Sequence, residues 1–135
     1  MSEREARLAA LDALARAGIV VRHFLDDVAD RHGLSGPQAR LLTGLVEPMP
    51  MAAAAAAAGC EPSHLTSIAG QLEEAGLVRR DVDPLDRRIR RVQLTRKGAQ
   101  VRKRMLAELE TGAPIVRDLD EDQARLLAQL LWPSP

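Results

Sequence analysis

The sequence predicts a mainly α-helical chain carrying one small β-hairpin. Apolar residues recur at three- and four-residue spacing along most of the 135 residues. Glycines, prolines and Ser, Thr or Asp cap signals divide that pattern into separate helices. Two short β-type segments, 77–82 and 89–94, flank a run of turn residues. This length fits one domain, or a small domain with a dimerisation arm.

The first helix is predicted over residues 2–31, where Leu8, Leu11, Ala15, Ile19 and Leu25 repeat at helical spacing and Gly33 supplies the stop. Ser35 then caps a second helix with Pro37 in its first turn, running to about Val46. Its inward face is Ala39, Leu41, Leu42 and Leu45. Pro48 and Pro50 end it, and a short extended piece follows. Met51 and seven alanines form a short helix, since alanine has the highest helix propensity, and their small side chains let another helix pack closely. Gly59 stops it. Glu61 and Pro62 open the next helix, which turns Leu65, Ile68, Ala69 and Leu72 to one side and stops at Gly76. Two short helices joined by a glycine-containing turn are the helix-turn-helix pattern.

Segments 77–82 and 89–94 pair as a hairpin around Asp83-Pro84-Leu85-Asp86. Thr95 caps a helix over 96–112 with Val101, Met105 and Leu109 on one face, which Gly112 and Pro114 weaken. Asp120 precedes a last apolar helix holding Ala124, Leu126, Leu127, Leu130, Leu131 and Trp132, which Pro133 stops.

Net charge is zero, yet it is distributed unevenly. Residues 1–78 hold 6 basic and 10 acidic side chains, residues 79–104 hold 11 and 3, and residues 105–135 hold 2 and 6. The central block of +8 is a footprint for a polyanion, with a merely solvated basic face as the alternative. Phe24 and Trp132 are the only aromatics, which argues against single-strand binding by base stacking. The single Cys60 excludes an intramolecular disulfide and a cysteine-rich zinc site. No apolar run reaches the roughly 20 residues that cross a bilayer. Met1-Ser2-Glu3-Arg4 begins no signal pattern, so a cytoplasmic location without membrane contact is expected. No nucleophile–base pair or phosphate-cradling glycine loop is visible, so no catalytic residue or cofactor is assigned. His23, Asp27 and Asp30 share one face of the first helix; a solvated face is preferred over a metal site there, and no metal ligand is assigned.

Three runs follow one another: Leu72-Glu73-Glu74-Ala75-Gly76-Leu77-Val78-Arg79-Arg80, then Asp83-Pro84-x-Asp86-Arg87-Arg88, then Val92-x-Leu94-Thr95-x-x-Gly98. With them residues 59–98 resemble the MarR family of winged helix-turn-helix regulators, and the element order extends the resemblance over most of the chain. The resemblance implies a winged helix-turn-helix with N- and C-terminal dimerisation helices. Residues 1–34 and 113–135 are expected to be the dimerisation helices, and 35–112 the DNA-binding lobe with its linking helix. The implied function is a homodimeric transcriptional repressor that binds a palindromic operator in double-stranded DNA. Its release by a small lipophilic or phenolic effector is also implied.

The expected DNA-binding residues of the recognition helix are Ser63, His64, Thr66, Ser67 and Gln71. The family often has arginine where Ser67 and Gln71 stand, so base readout is expected to be modest. In the wing they are Asp86, Arg87, Arg88 and Arg90. Asp86 holds the loop by accepting from loop amides or pairing with Arg88, and Arg87 suits a narrow minor groove. Arg90, Arg91, Arg96 and Lys97 are expected to meet phosphates or solvate the sheet. An aliphatic effector pocket is expected from Phe24, Leu41, Leu45 and Met105. The dimer interface is expected from Leu8, Leu11, Leu126, Leu127, Leu130, Leu131 and Trp132. Two other readings stay open: a winged-helix module that binds protein, and a sensor triggered through Cys60 or a metal. For Cys60 the residues favour a hydrophobic staple with Leu65.

Overall fold

The computed structural model describes residues 1–133. The elements run α1 (Glu3–Arg31), α2 (Gly36–Gly44), β1 (Met49–Pro50), α3 (Met51–Ala58), α4 (Pro62–Glu74), β2 (Val78–Val82), β3 (Arg90–Leu94), α5 (Arg96–Gly112), a short 3-10 turn (Val116–Asp118) and α6 (Glu121–Leu131). The mainly α fold with a small β wing follows the sequence reading, with two local differences. Helix α2 ends at Gly44, two residues early, where the Leu45 backbone leaves the helical region at φ −81° and ψ 70°. The extended piece also joins the sheet: β1 pairs antiparallel with β3, Met49 opposite Val92, and the strand order is β1-β3-β2. Pro50 lacks an N–H, and the edge position tolerates that. None of the helices described is long and apolar enough to cross a membrane.

Caps act where side chains mark them. Ser35 accepts from the Gln38 backbone N–H, and Gln38 Oε1 accepts from the Ser35 N–H, a reciprocal capping box. Asp120 and Gln123 repeat the device at α6. Gly59 and Gly76 both adopt positive φ, 66° and 76°, closing α3 and α4.

The chain forms two compact units. One comprises residues 26–107 and contains the hydrophobic core. Leu41, Leu42, Leu45, Leu65, Leu72, Val78, Val92 and Met105 are fully buried there. Helix α3 packs with α2 and α4, burying Ala54, Ala55 and Ala58, and Arg40 Nε of α2 donates to the Ala58 carbonyl at 3.1 Å. A β-carbon on Gly44 of α2 would sit 3.5 Å from Ala57 Cβ, an ordinary contact.

The other unit comprises residues 1–25 and 108–135. None of its described residues is buried. Leu8, Leu11, Leu14 and Ile19 of α1 are exposed, as are Leu126, Leu130, Leu131 and Trp132 at the C-terminal end, while Leu127 is half-buried. The Phe24 ring lies against Gly112, where a β-carbon would come within 3.1 Å of it.

Candidate nucleic-acid interface

Helix α4 turns Leu65, Ile68, Ala69 and Leu72 into the core. That fixes its rotation and leaves Ser63, His64, Thr66, Ser67 and Gln71 exposed, as their positions predict. The Thr66 hydroxyl donates back to the Pro62 carbonyl at 3.2 Å. Gln71 Oε1 accepts from Gln38 Nε2 at 2.7 Å, a link across 33 residues that no local pattern announces.

Glu73 and Arg80 join the end of α4 to β2. Glu73 Oε2 accepts from the Arg80 backbone N–H and Oε1 from its Nη2, both at 3.0 Å. These bonds, the side-chain one foremost, hold the Glu73 carboxyl below the usual carboxylate range. Arg80 Nε is buried without a partner among the described residues. A β-carbon on Gly70 would sit 3.9 Å from Arg80 Nη2, an ordinary contact, so this side chain does not require glycine there.

The wing is a hairpin whose loop is braced by two aspartates. Asp83 Oδ1 accepts from the backbone N–H groups of Leu85 and Asp86 at 2.7 and 3.2 Å. Asp86 Oδ1 accepts from the Arg88 backbone N–H and from its Nε, each at 3.1 Å, while Oδ2 accepts from Nη2 at 3.1 Å. This two-pronged pairing lowers the Asp86 carboxyl below its usual range and raises the Arg88 guanidinium. Both groups therefore stay charged throughout the neutral range. Arg88 is fixed yet 89% exposed. Arg87 and Arg90 are exposed and make no hydrogen bond or ion pair among the described residues. Leu85 stands at the tip, 97% exposed.

The remaining basic residues divide into two groups. Arg91 pairs with Asp81 across the hairpin at 3.4 Å, and Lys97 Nζ donates to the Ala75 carbonyl at 3.0 Å. Both have a partner within the fold that the sequence does not announce. Arg102 Nε likewise donates to the Thr43 carbonyl at 3.0 Å. The side chains of Arg79, Arg87, Arg90, Arg96, Lys103 and Arg104 make no such bond among the described residues, although the charge of Arg90 adds to the lowering of Glu73. Reading charge along the sequence counts both groups alike, because it does not see which carbonyl or carboxylate the fold brings near.

Leu41, Leu45 and Met105, expected at an effector pocket, lie within the closed core, each at most 1% exposed. An open groove of about 440 Å³ lies instead beside the turn between α3 and α4, with Arg40, Ala56, Cys60, Glu61 and His64 along it. Among the described residues no three His, Cys, Asp or Glu side chains gather as a metal site.

No family model and no curated protein sequence matches the chain. Solved structures do. A MarR family transcriptional regulator from Streptomyces coelicolor, solved in complex with DNA, is 24% identical, covering 97% of this chain and 86% of its own at a TM-score of 0.76. The transcriptional regulator BldR from Sulfolobus solfataricus is 28% identical, with 97% and 96% covered and a TM-score of 0.73. CouR from Rhodococcus jostii RHA1, bound to p-coumaroyl-CoA, is 26% identical, with 91% and 92% covered and a TM-score of 0.74. The fold of this chain is that of the MarR family transcriptional regulators.

Proposed function

We propose that this chain, built on the MarR family fold, is a homodimeric DNA-binding transcriptional regulator. We propose further that it is a repressor released by a small effector and works in the cytoplasm. One observation carries the reading. The exposed polar row of α4 stands beside a braced wing in which Asp86 occupies Arg88 and leaves Arg87 unpaired. A rigid loop with an unpaired guanidinium suits insertion into a narrow minor groove, where negative potential is concentrated. Ser63, His64, Ser67 and Gln71 are short enough to let the helix approach base edges. The Streptomyces regulator solved with DNA supports the same assignment.

The dimer rests on the exposed apolar ends. Leu8, Leu11, Leu126, Leu130, Leu131 and Trp132 are 49–86% exposed in the single chain, and a second copy supplies the same surface through a two-fold axis. Two copies of α4 then meet successive major grooves on one face of the duplex, with half-site centres about 10 base pairs apart. The likeness to CouR, solved with p-coumaroyl-CoA, supports a lipophilic or phenolic effector. Binding at Leu41, Leu45 and Met105 requires the core to open, since they offer no free surface.

The test is a salt titration of binding to palindromic duplexes selected from a randomised pool. Counterion release predicts that log K falls steeply with log salt, by about 0.9 per phosphate neutralised. A protein that retains no duplex, or whose binding ignores salt, is not a DNA-binding regulator.

A further inference from the structure

Glutamine is ordinarily an ambiguous reader, since its amide carries an acceptor and a donor of nearly the same shape. Its usual partner in the major groove is adenine, which shows a donor at N6 beside an acceptor at N7. In this protein the ambiguity is removed by a relay that begins at a backbone group. The Ser35 N–H is a donor and nothing else, so the Gln38 atom facing it, at 2.9 Å, is the carbonyl Oε1. The other end of the Gln38 amide is therefore the amino group, and it faces α4. It donates to Gln71 at 2.7 Å, and the Gln71 atom that receives it must be Oε1. Each orientation follows from the one before it, and the chain of logic ends at an exposed side chain.

The carbonyl of Gln71 is thus directed at α2. Its amino group, on the other side of the amide carbon, points away from α2 and carries two N–H donors. We infer that Gln71 addresses DNA as a donor only and selects guanine over adenine at the base pair beneath it, because Gln38 holds its carbonyl. Guanine shows two acceptors side by side in the major groove, N7 and O6, whereas adenine's N6 amino group opposes a second donor. Gln38 is a positioning residue: it is the third helical residue of α2, its capping role fixes its rotamer, and Gln71 inherits that fixity. This deepens the proposed function and rests on α4 as the helix that faces the groove.

Gln38→Glu is the informative variant. A glutamate keeps the acceptor that the capping box needs, so α2 stays capped. Its second oxygen, facing Gln71, only accepts. The Gln71 amino group then turns to it and the carbonyl turns outward, reversing what the duplex meets. The experiment is competition over a randomised palindromic duplex pool with wild type, Gln38→Glu and Gln71→Ala. The position whose base preference disappears in Gln71→Ala is the one beneath it.

At that position wild type is expected to favour guanine over adenine by about fivefold or more. Gln38→Glu is expected to reverse the order toward the donor-bearing bases, adenine or cytosine. A wild-type preference for adenine, or an unchanged order in Gln38→Glu, overturns the inference. So does a pool in which Gln71→Ala alters no position, and that result leaves the DNA-binding reading standing. Failure of wild type to retain any duplex removes both.

Discussion

Gly98 is where a single methyl group should cost most. It lies in the first turn of α5, where its N–H donates to Thr95 Oγ1 at 3.0 Å. A β-carbon there would fall 1.9 Å from the Leu77 carbonyl oxygen and 2.8 Å from its carbon, against a favourable separation of about 3.5 Å between heavy atoms. These are backbone atoms, and they cannot swing aside as a side-chain tip does. The same oxygen accepts the Thr95 N–H at 3.1 Å, Leu77 N donates to the Leu72 carbonyl at 2.9 Å, and Leu77 is 5% exposed. Moving Leu77 therefore disturbs the end of α4, the start of β2 and the cap of α5 together. Overpacking of this kind costs about 1–3 kcal/mol, and the strained hydrogen bond adds about 1 kcal/mol. Replacing glycine by alanine in a helix returns about 1 kcal/mol at most. The net expectation for Gly98→Ala is a loss of about 1–3 kcal/mol. Gly18→Ala provides the control of opposite sign: nothing lies within 4 Å of a β-carbon in α1, so a gain of about 0.8–1 kcal/mol is expected. Urea unfolding followed by circular dichroism, at one protein concentration, reads both. A Gly98→Ala protein as stable as wild type, or a Gly18→Ala protein less stable than it, would refute the reasoning.

The wing and the terminal helices give further tests. Arg87→Ala should weaken duplex binding across sequences and reduce the salt slope by about one, because it removes a cation while Asp86 and Arg88 keep the loop; unchanged affinity and slope would make the basic block a solvated face. Deleting residues 120–135 should give aggregates or unfolded chain on size exclusion; a monodisperse monomer with wild-type circular dichroism would exclude the proposed dimer.

Features governed by near neighbours in sequence were readable in advance. The burial of Leu65, Ile68, Ala69 and Leu72 follows from spacing, and Ser35, Thr95 and Asp120 announce helix starts because a cap acts over three residues. Asp86 could be assigned to the wing turn for the same reason, since its partner is two residues away. Other features depend on contacts that only the fold creates. Met49 and Pro50 are too few to show a strand's alternation, and their pairing with β3 crosses some 40 positions of sequence (Met49 opposite Val92). Arg80 reads as one more cation of the basic block, and only the fold turns it inward to Glu73. Leu41, Leu45 and Met105 were legible as inward-facing, but helical period does not distinguish a packed core from a lined cavity. Gly98 was visible as part of a motif, and its reason became visible only with Leu77 beside it.

The unit formed by the chain ends contains no buried residue among those described, and this changes what its order depends on. A cooperative core melts with heat or denaturant. A pair of helices that finds its core only in another copy melts also by dilution. Helix α6 has 11 residues, below the roughly 12–15 at which an isolated helix holds in water. In the proposed dimer, abundance is therefore a structural variable: a scarce protein loses its ends before its middle.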